Sequence, residues 1–205
     1  MHELPNEAFQ LDNSRGANGY VIPLDRGFAV VDPGMKSGAR AVVAEVAGAG
    51  LTGAVTDVLL THYDVDHAGA ALAVAAENGA KLWIGRADAD ILAGRRSPGT
   101  FARRVLSSMG RPKLPGIVHF LGETEGFPEE IRAVPTPGHT PGHFAFVWRQ
   151  TVFSGDAAMV RADGTLRQFP ALLITDKAQA LASTAVLEDL DVQWICPGHG
   201  RPVQR

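Results

Sequence analysis

At four places in the chain a short apolar run leads into a loop that carries glycine with a histidine or an aspartate, or a histidine directly. Val58-Leu59-Leu60-Thr61 leads into His62, and Ile131 to Val134 leads into Pro137-Gly138-His139-Thr140-Pro141-Gly142-His143. Thr151-Val152-Phe153 leads into Ser154-Gly155-Asp156, and Gln193-Trp194-Ile195-Cys196 into Pro197-Gly198-His199-Gly200. Short apolar runs bounded by turn residues read as strands. A strand that ends in Gly-His or Gly-Asp delivers a polar side chain to the rim of a rigid sheet, and glycine lets the backbone approach whatever that side chain holds. The constraint is severe: the fold must bring four strand ends to one rim, so that their loops converge on one site.

The rest of the pattern supplies a scaffold for such a rim. Tyr20 to Leu24 and Phe28 to Asp32, separated by Asp25-Arg26-Gly27, predict a hairpin. Arg40 to Ala49 predicts a helix, Val58 to Thr61 a strand buried on both faces, Ala68 to Asn78 a helix stopped by Gly79, and Lys81 to Ile84 a further strand. This strand, loop, helix, strand order belongs to α/β layering. Beyond it, Ile117 to Leu121, Ile131 to Val134, Phe144 to Trp148 and Thr151 to Phe153 are strand-like with little helix between, which favours antiparallel pairing. Gln179 to Leu190 restores a helix before the last strand, Gln193 to Cys196. The periodicity therefore predicts two mixed sheets with helices on their outer faces, in one domain spanning 1–205.

Composition removes other classes. With 45% hydrophobic and 20% charged residues the chain is globular rather than disordered, and a net charge of −3 leaves no global footprint for nucleic acid. No apolar stretch approaches the 18 or so residues of a membrane span. The single cysteine, Cys196, forms no internal disulfide and reads as a small buried hydrophobe. Acids and a proline in Met1 to Glu7 do not fit an export leader, so the expectation is a cytoplasmic protein. The expected partner is a small-molecule substrate, with neither nucleic acid nor membrane. Residues 91–122 hold Arg95, Arg96, Arg103, Arg104, Arg111 and Lys113 and no acid. That run is either a solvated face answered by acids elsewhere, or a mobile arm that steers an anionic substrate or partner.

The densest chemistry lies in Thr61-His62-Tyr63-Asp64-Val65-Asp66-His67. His62, Asp64 and Asp66 alternate, so an extended backbone points them the same way, and His67 swings round at a helix start. Imidazoles and carboxylates at this density suit Zn²⁺, Mn²⁺ or Fe, and a cation is what would let Asp64 and Asp66 sit together. His143, four residues after His139, is placed to hydrogen-bond behind a ligand set. Asp57, just before the buried strand, is either a turn residue or a carboxylate that orients a ligand histidine. No Gly-x-Ser-x-Gly is present, so serine-hydrolase chemistry has no support.

In this order the residues resemble the metallo-β-lactamase superfamily, whose signature is H-x-H-x-D-H followed by a distant His, a bridging Asp and a final His. The resemblance runs from roughly residue 18 to residue 200, and the stretch Thr136 to His143 is similar to the glyoxalase II-like branch. It implies a four-layer αββα sandwich. It also implies that His62 and His139 bind a first metal ion, that Asp66, His67 and His199 bind a second, and that Asp156 bridges. One or two Zn²⁺ ions are implied, with Fe or Mn²⁺ as alternatives. Where the family has its second histidine this chain has Asp64, which ligates directly, acts through a water, or only hydrogen-bonds. As a ligand it would remove one unit of positive charge relative to the family pattern, raise the pKa of bound water above about 7 and favour harder metals such as Mn²⁺ or Fe. The resemblance further favours the orienting role for Asp57 and pocket walls that include Phe169 and Leu172.

The implied reaction is hydrolysis, with two cations roughly 3.5–4 Å apart sharing a hydroxide that attacks a polarised carbonyl and Asp66 or Asp156 orienting it. The expected bond is a small ester, thioester or lactone. A glutathione thioester is less expected, because the chain ends five residues after Gly200, short of the C-terminal helical region of glyoxalase II proper. A β-lactam is disfavoured by Asp64 and the absent leader. The alternative is a mononuclear iron enzyme resembling the persulfide dioxygenases, with His62, His139 and Asp156 as a two-histidine, one-carboxylate face. A third reading is a non-enzymatic interaction module contacting its partner through the arginine-rich segment.

Overall fold

In the computed structural model, which describes residues 1–108 and 110–205 and only the backbone of Leu106, two sheets lie face to face with helices outside them. The first sheet has seven strands in sequence order: β1 (His2–Glu3), β2 (Phe9–Gln10), β3 (Tyr20–Leu24), β4 (Gly27–Val31), β5 (Val55–Leu59), β6 (Lys81–Ile84) and β7 (His119–Phe120). Its first four strands pair antiparallel and β4 to β7 pair parallel. The parallel half is fed by α1 (Ala39–Gly48), α2 (Val65–Ala68), α3 (Ala71–Asn78) and α4 (Arg86–Leu92), and α5 (Phe101–Ser108) precedes β7.

The second sheet contains β8 (Ile131–Pro135), β9 (Phe144–Trp148) and β10 (Thr151–Gly155) as an antiparallel meander. After a small ribbon of β11 (Met159–Val160) and β12 (Leu166–Arg167), α6 (Lys177–Glu188) crosses over, so that β13 (Trp194–Pro197) runs parallel to β10, and β14 (Val203–Gln204) closes the edge. Asp176 starts α6 by accepting from the Ala178 and Gln179 N–H groups.

Strand parity builds the layers. Val21, Val30, Val58, Leu82 and Ile84 face outward onto Val42 and Val46 of α1 and Val74 of α3. Their neighbours Tyr20, Ile22, Val31, Leu59 and Trp83 face inward, where they meet Phe146, Trp148, Phe153 and Cys196 of the second sheet. The other parity of that sheet, Ala145, Val147, Val152 and Ile195, packs on Leu187 of α6. Each large side chain buried in these layers contributes on the order of 1.5–3 kcal/mol. The arrangement is the expected αββα sandwich.

Two local expectations change. The helix expected over Ala68 to Asn78 is two helices, broken at Gly69-Ala70. Gly69 packs so closely on the backbone of Met35 and Lys36 that a Cβ there would also lie 2.5 Å from the Val65 carbonyl oxygen, and Ala70 N–H donates to the Gly34 carbonyl instead of continuing a helix. The strand expected over Ile117 to Leu121 is confined to His119–Phe120, because Ile117 is exposed and only these two residues pair with β6.

Candidate metal centre

The four predicted strand ends do meet. β5 delivers His62 and the loop to His67, the β8–β9 turn delivers His139 and His143, β10 delivers Asp156 and β13 delivers His199. Asp156 lies at the middle: its Oδ2 is 3.6 Å from His139 Nε2 and 3.4 Å from His199 Nε2, and its Oδ1 is 3.4 Å from His67 Nε2. Asp66 Oδ2 stands 3.4 Å from His199 Nε2. Donor atoms of His62, His139 and Asp156 fall within 4.8 Å of one another, as do those of Asp66, His67 and His199.

Two of the donor imidazoles, His62 and His67, are held from behind. Thr61 N–H and Oγ1–H both donate to Asp32, at 2.9 and 2.5 Å, and Thr61 Oγ1 lies 2.9 Å from His62 Nδ1. Asp32 Oδ2 is also 2.8 Å from His67 Nδ1. In this network the Nδ1 of each ring donates, so Nε2 is the nitrogen that each ring turns into the cluster. His143 accepts the Asp156 N–H on Nε2 at 3.1 Å, with Nδ1 2.8 Å from Thr136 Oγ1. It thus fixes the backbone of the central carboxylate rather than joining the donor set, and burial, with His62 next in effect, holds its pKa well below the ordinary histidine value. Gly198 closes the floor: a Cβ there would collide with Asp156 Oδ1 and come 2.6 Å from His67 Cε1.

Three predicted details need correction. Asp57 touches none of the histidines; it accepts from Trp83 Nε1 at 2.7 Å on β5, before the strand reaches the rim. The carboxylate that orients His67 is Asp32, which ends β4 by the same apolar-run rule as the other site residues and could have been found by it. Among the pocket walls, Leu172 is 66% exposed and its neighbour Leu173 faces the cavity beside Phe169. Asp64 does not bring an uncompensated charge to the site, because Arg103 pairs with it. That side chain, 1% exposed, comes from α5 and grips Asp64 with Nη1 2.8 Å from Oδ2 and Nη2 2.7 Å from Oδ1. The arginine-rich run is therefore not one solvated face: Arg95 pairs with Asp90, Arg103 points inward, and Arg111 lines the cavity.

Sequence reasoning also missed Asp88. Fully buried in α4, it accepts from Tyr63 N–H at 3.1 Å, Thr140 Oγ1–H at 2.7 Å and Gly142 N–H at 2.7 Å, tying the His62 loop to the His139 loop. No sequence pattern marks it, since a helical aspartate usually faces solvent.

The donor set fits divalent cations. Among the described residues, His62 Nε2, His67 Nε2 and Asp156 Oδ1 are buried side-chain atoms without a hydrogen-bond partner, an arrangement that costs free energy unless something else engages them. Electrostatics agree. Burial opposes charge on Asp64 and Asp156, yet the surrounding imidazoles, with Arg103 for Asp64, hold both carboxyls well below the ordinary range. Hydrogen bonds to Asp156 and then Asp66 lift His199 to about 9. Carboxylates that recruit protons onto imidazoles in this way offer the same negative field to a metal ion.

The cluster forms the floor of a cavity of about 590 Å³ whose walls include Val65, Ile91, Leu92, Met159, Phe169 and Leu173. No helix among the described residues is long and apolar enough to cross a membrane.

Known proteins resemble this chain in sequence and in fold. The YobT protein of Bacillus subtilis is 28% identical over 90% of this chain and 83% of its own length. A hydroxyacylglutathione hydrolase of Halorhodospira halophila is 29% identical over 69% of this chain, which covers only 46% of that relative. Among solved structures, TTHA1623 in a di-iron-bound form superposes with a TM-score of 0.73 at 24% identity, over 96% of this chain and 93% of the other. The BLEG-1 B3 metallo-β-lactamase gives a TM-score of 0.73 at 23% identity over the same shares. The sequence description of the Metallo-beta-lactamase superfamily matches residues 13–199, which include every histidine and aspartate of the cluster. The chain therefore belongs to the metallo-β-lactamase superfamily, a family of metal-dependent hydrolases.

Proposed function

We propose that this enzyme hydrolyses an ester, thioester or lactone with an apolar acyl part, at a centre of one or two metal ions. The observation that carries the reading is the grouping of the buried, unsatisfied His62 Nε2, His67 Nε2 and Asp156 Oδ1 with Asp64, Asp66, His139 and His199, the last four of which, with Asp156, line a mainly apolar cavity. His62, His139 and Asp156 would hold one ion, Asp66, His67 and His199 the other, with Asp156 between them. Bound there, Zn²⁺, Fe or Mn²⁺ would polarise a carbonyl and lower the pKa of water. The chain's own residues do the rest. Asp32, Thr61 and His143 keep the donors aimed, so little reorganisation is needed at reaction. Asp66 Oδ2 and Asp156 Oδ2, which converge on His199 Nε2 at 3.4 Å each, are the proton acceptors placed to orient an attacking water. Val65, Ile91, Met159 and Phe169 exclude bulk water and take up the acyl group. The buried, unpaired Cys196 suits a reducing cytoplasm.

The test is elemental analysis of protein purified without added metal, followed by a panel of acyl esters, acyl thioesters and lactones on loaded and chelated samples. Turnover that depends on metal and falls at least about 100-fold in Asp156→Ala is expected. Undiminished hydrolysis by the metal-free protein overturns the reading. The second reading, an iron persulfide dioxygenase, is supported by the grouping of His62, His139 and Asp156 alone. It requires one iron per chain and oxygen uptake on glutathione persulfide, whereas the equally complete Asp66, His67 and His199 group favours hydrolysis.

A further inference from the structure

Asp64 stands at the N-cap of α2 with extended backbone (φ −61°, ψ 146°), where an aspartate ordinarily accepts an N–H of the first turn, yet its side chain makes no such bond. Both oxygens are turned elsewhere. Oδ1 takes Arg103 Nη2, while Oδ2 takes Nη1 and lies 3.1 Å from His139 Nε2 and 3.5 Å from His62 Nε2. Arg103 has crossed from α5 to reach it, with its guanidinium carbon 5.3 Å from the Tyr63 ring centroid, and its Nε is buried without a partner among the described residues. A buried ion pair of this kind is a poor stabilising device, because apolar replacements commonly do as well or better. Its position therefore calls for another explanation. The guanidinium fork fixes the carboxylate plane and leaves Oδ2 facing the two imidazoles.

We propose that Arg103 is a positioning residue for the first metal ion: it holds Asp64 Oδ2 as the donor that completes the His62, His139 and Asp156 set. Its charge cancels that of Asp64, so that the pair serves as one electrically neutral ligand, as an imidazole would. On this assignment the net charge of the first position is that of a set with a third neutral ligand, so the charge effect expected from Asp64 alone is cancelled, while its oxygen donor keeps the preference for harder metals. The assignment rests on the metal-centre reading above, and the experiment separates the two.

Metal-free wild type, Arg103→Gln, Arg103→Lys and the double variant Asp64→His/Arg103→Gln are titrated with Zn²⁺ against a chromophoric chelator. Co²⁺ absorption then reports the ligand set of each ion. Wild type should take two ions. Arg103→Gln should bind the first-site ion about 10- to 100-fold more weakly while the ion of the Asp66, His67 and His199 set is unchanged. Arg103→Lys should restore part of the loss, since it keeps the charge without the fork. The double variant, with imidazole in place of the pair, should again bind two ions. A wild type that takes up no ion overturns the metal-centre reading itself. A wild type that takes only one ion, or an Arg103→Gln variant that binds two as tightly as wild type, overturns the role of Arg103 alone. If Arg103→Gln fails to fold, the double variant decides: two ions support the assignment, and one or none overturns it.

Discussion

Replacing Asp88 by asparagine tests whether the two histidine loops are held as one unit. In the wild type Oδ2 accepts from Tyr63 N–H and Thr140 Oγ1–H, and Oδ1 from Gly142 N–H. The asparagine has a single oxygen. If it faces Tyr63 and Thr140, the amide NH₂ meets the Gly142 N–H at what was a 2.7 Å contact, and that buried donor loses its acceptor. Above about pH 7, where the carboxyl is ionised, an unsatisfied buried donor costs about 1–3 kcal/mol and loss of charge assistance on the other two bonds adds about 0.5–1 kcal/mol each, so Asp88→Asn should lose about 2–5 kcal/mol there. Against a typical total of about 5–15 kcal/mol, urea unfolding of metal-depleted protein resolves this readily.

The pH dependence has a defined sign. Burial, with the like charge of Asp64 adding to it, raises the Asp88 carboxyl to about 7, against the hydrogen bonds from Thr140, Gly142 and Tyr63. The native state therefore holds this proton more tightly than the unfolded chain. The contribution is full below the ordinary value of 3.8 and is lost as pH rises to about 7. Asparagine does not titrate, so the gap between wild type and variant should narrow between those limits. A loss under about 0.5 kcal/mol, or a gap that widens with pH, refutes the reasoning.

Three other outcomes follow from the same geometry. Asp32→Ala removes the partner of Thr61 and of His67 Nδ1 and should weaken metal binding about 10- to 100-fold in a chelator competition, with unchanged affinity counting against an orienting role. Gly198→Ala pushes a methyl group against Asp156 and His67, so metal stoichiometry should fall although the fold persists by circular dichroism; full occupancy would show that the floor can yield. Burial raises the Cys196 thiol to about 12, so a thiol reagent should modify it only on unfolding, and prompt labelling of the native protein would contradict the burial.

Four residues of the candidate metal centre were legible in the sequence because each follows from a local rule. An apolar strand must end at the rim, and whatever polar residue stands just past its end goes there too. That rule places His62, His139, Asp156 and His199 whatever the rest of the chain does. The layered sandwich was legible for a similar reason, since strand parity assigns Leu59 and Phe153 to the space between the sheets and Val58 and Val152 to the outer faces before any contact is known.

What tertiary structure alone decided is which buried groups answer one another. Asp57 lies closer in sequence to the histidine loop than Asp32 does, yet it sits in the middle of its strand on Trp83, and Asp32 reaches His67 from the neighbouring strand. Arg103 sits in a run of six basic residues with nothing in their spacing to distinguish it, and only the packing of α5 makes it the one that meets Asp64, 39 residues away. Asp88 is silent in the sequence for the same reason. A strand end is set by its own residues, whereas the partner of a buried charge is set by how separate elements pack, because water must be replaced by whatever group the fold brings within reach.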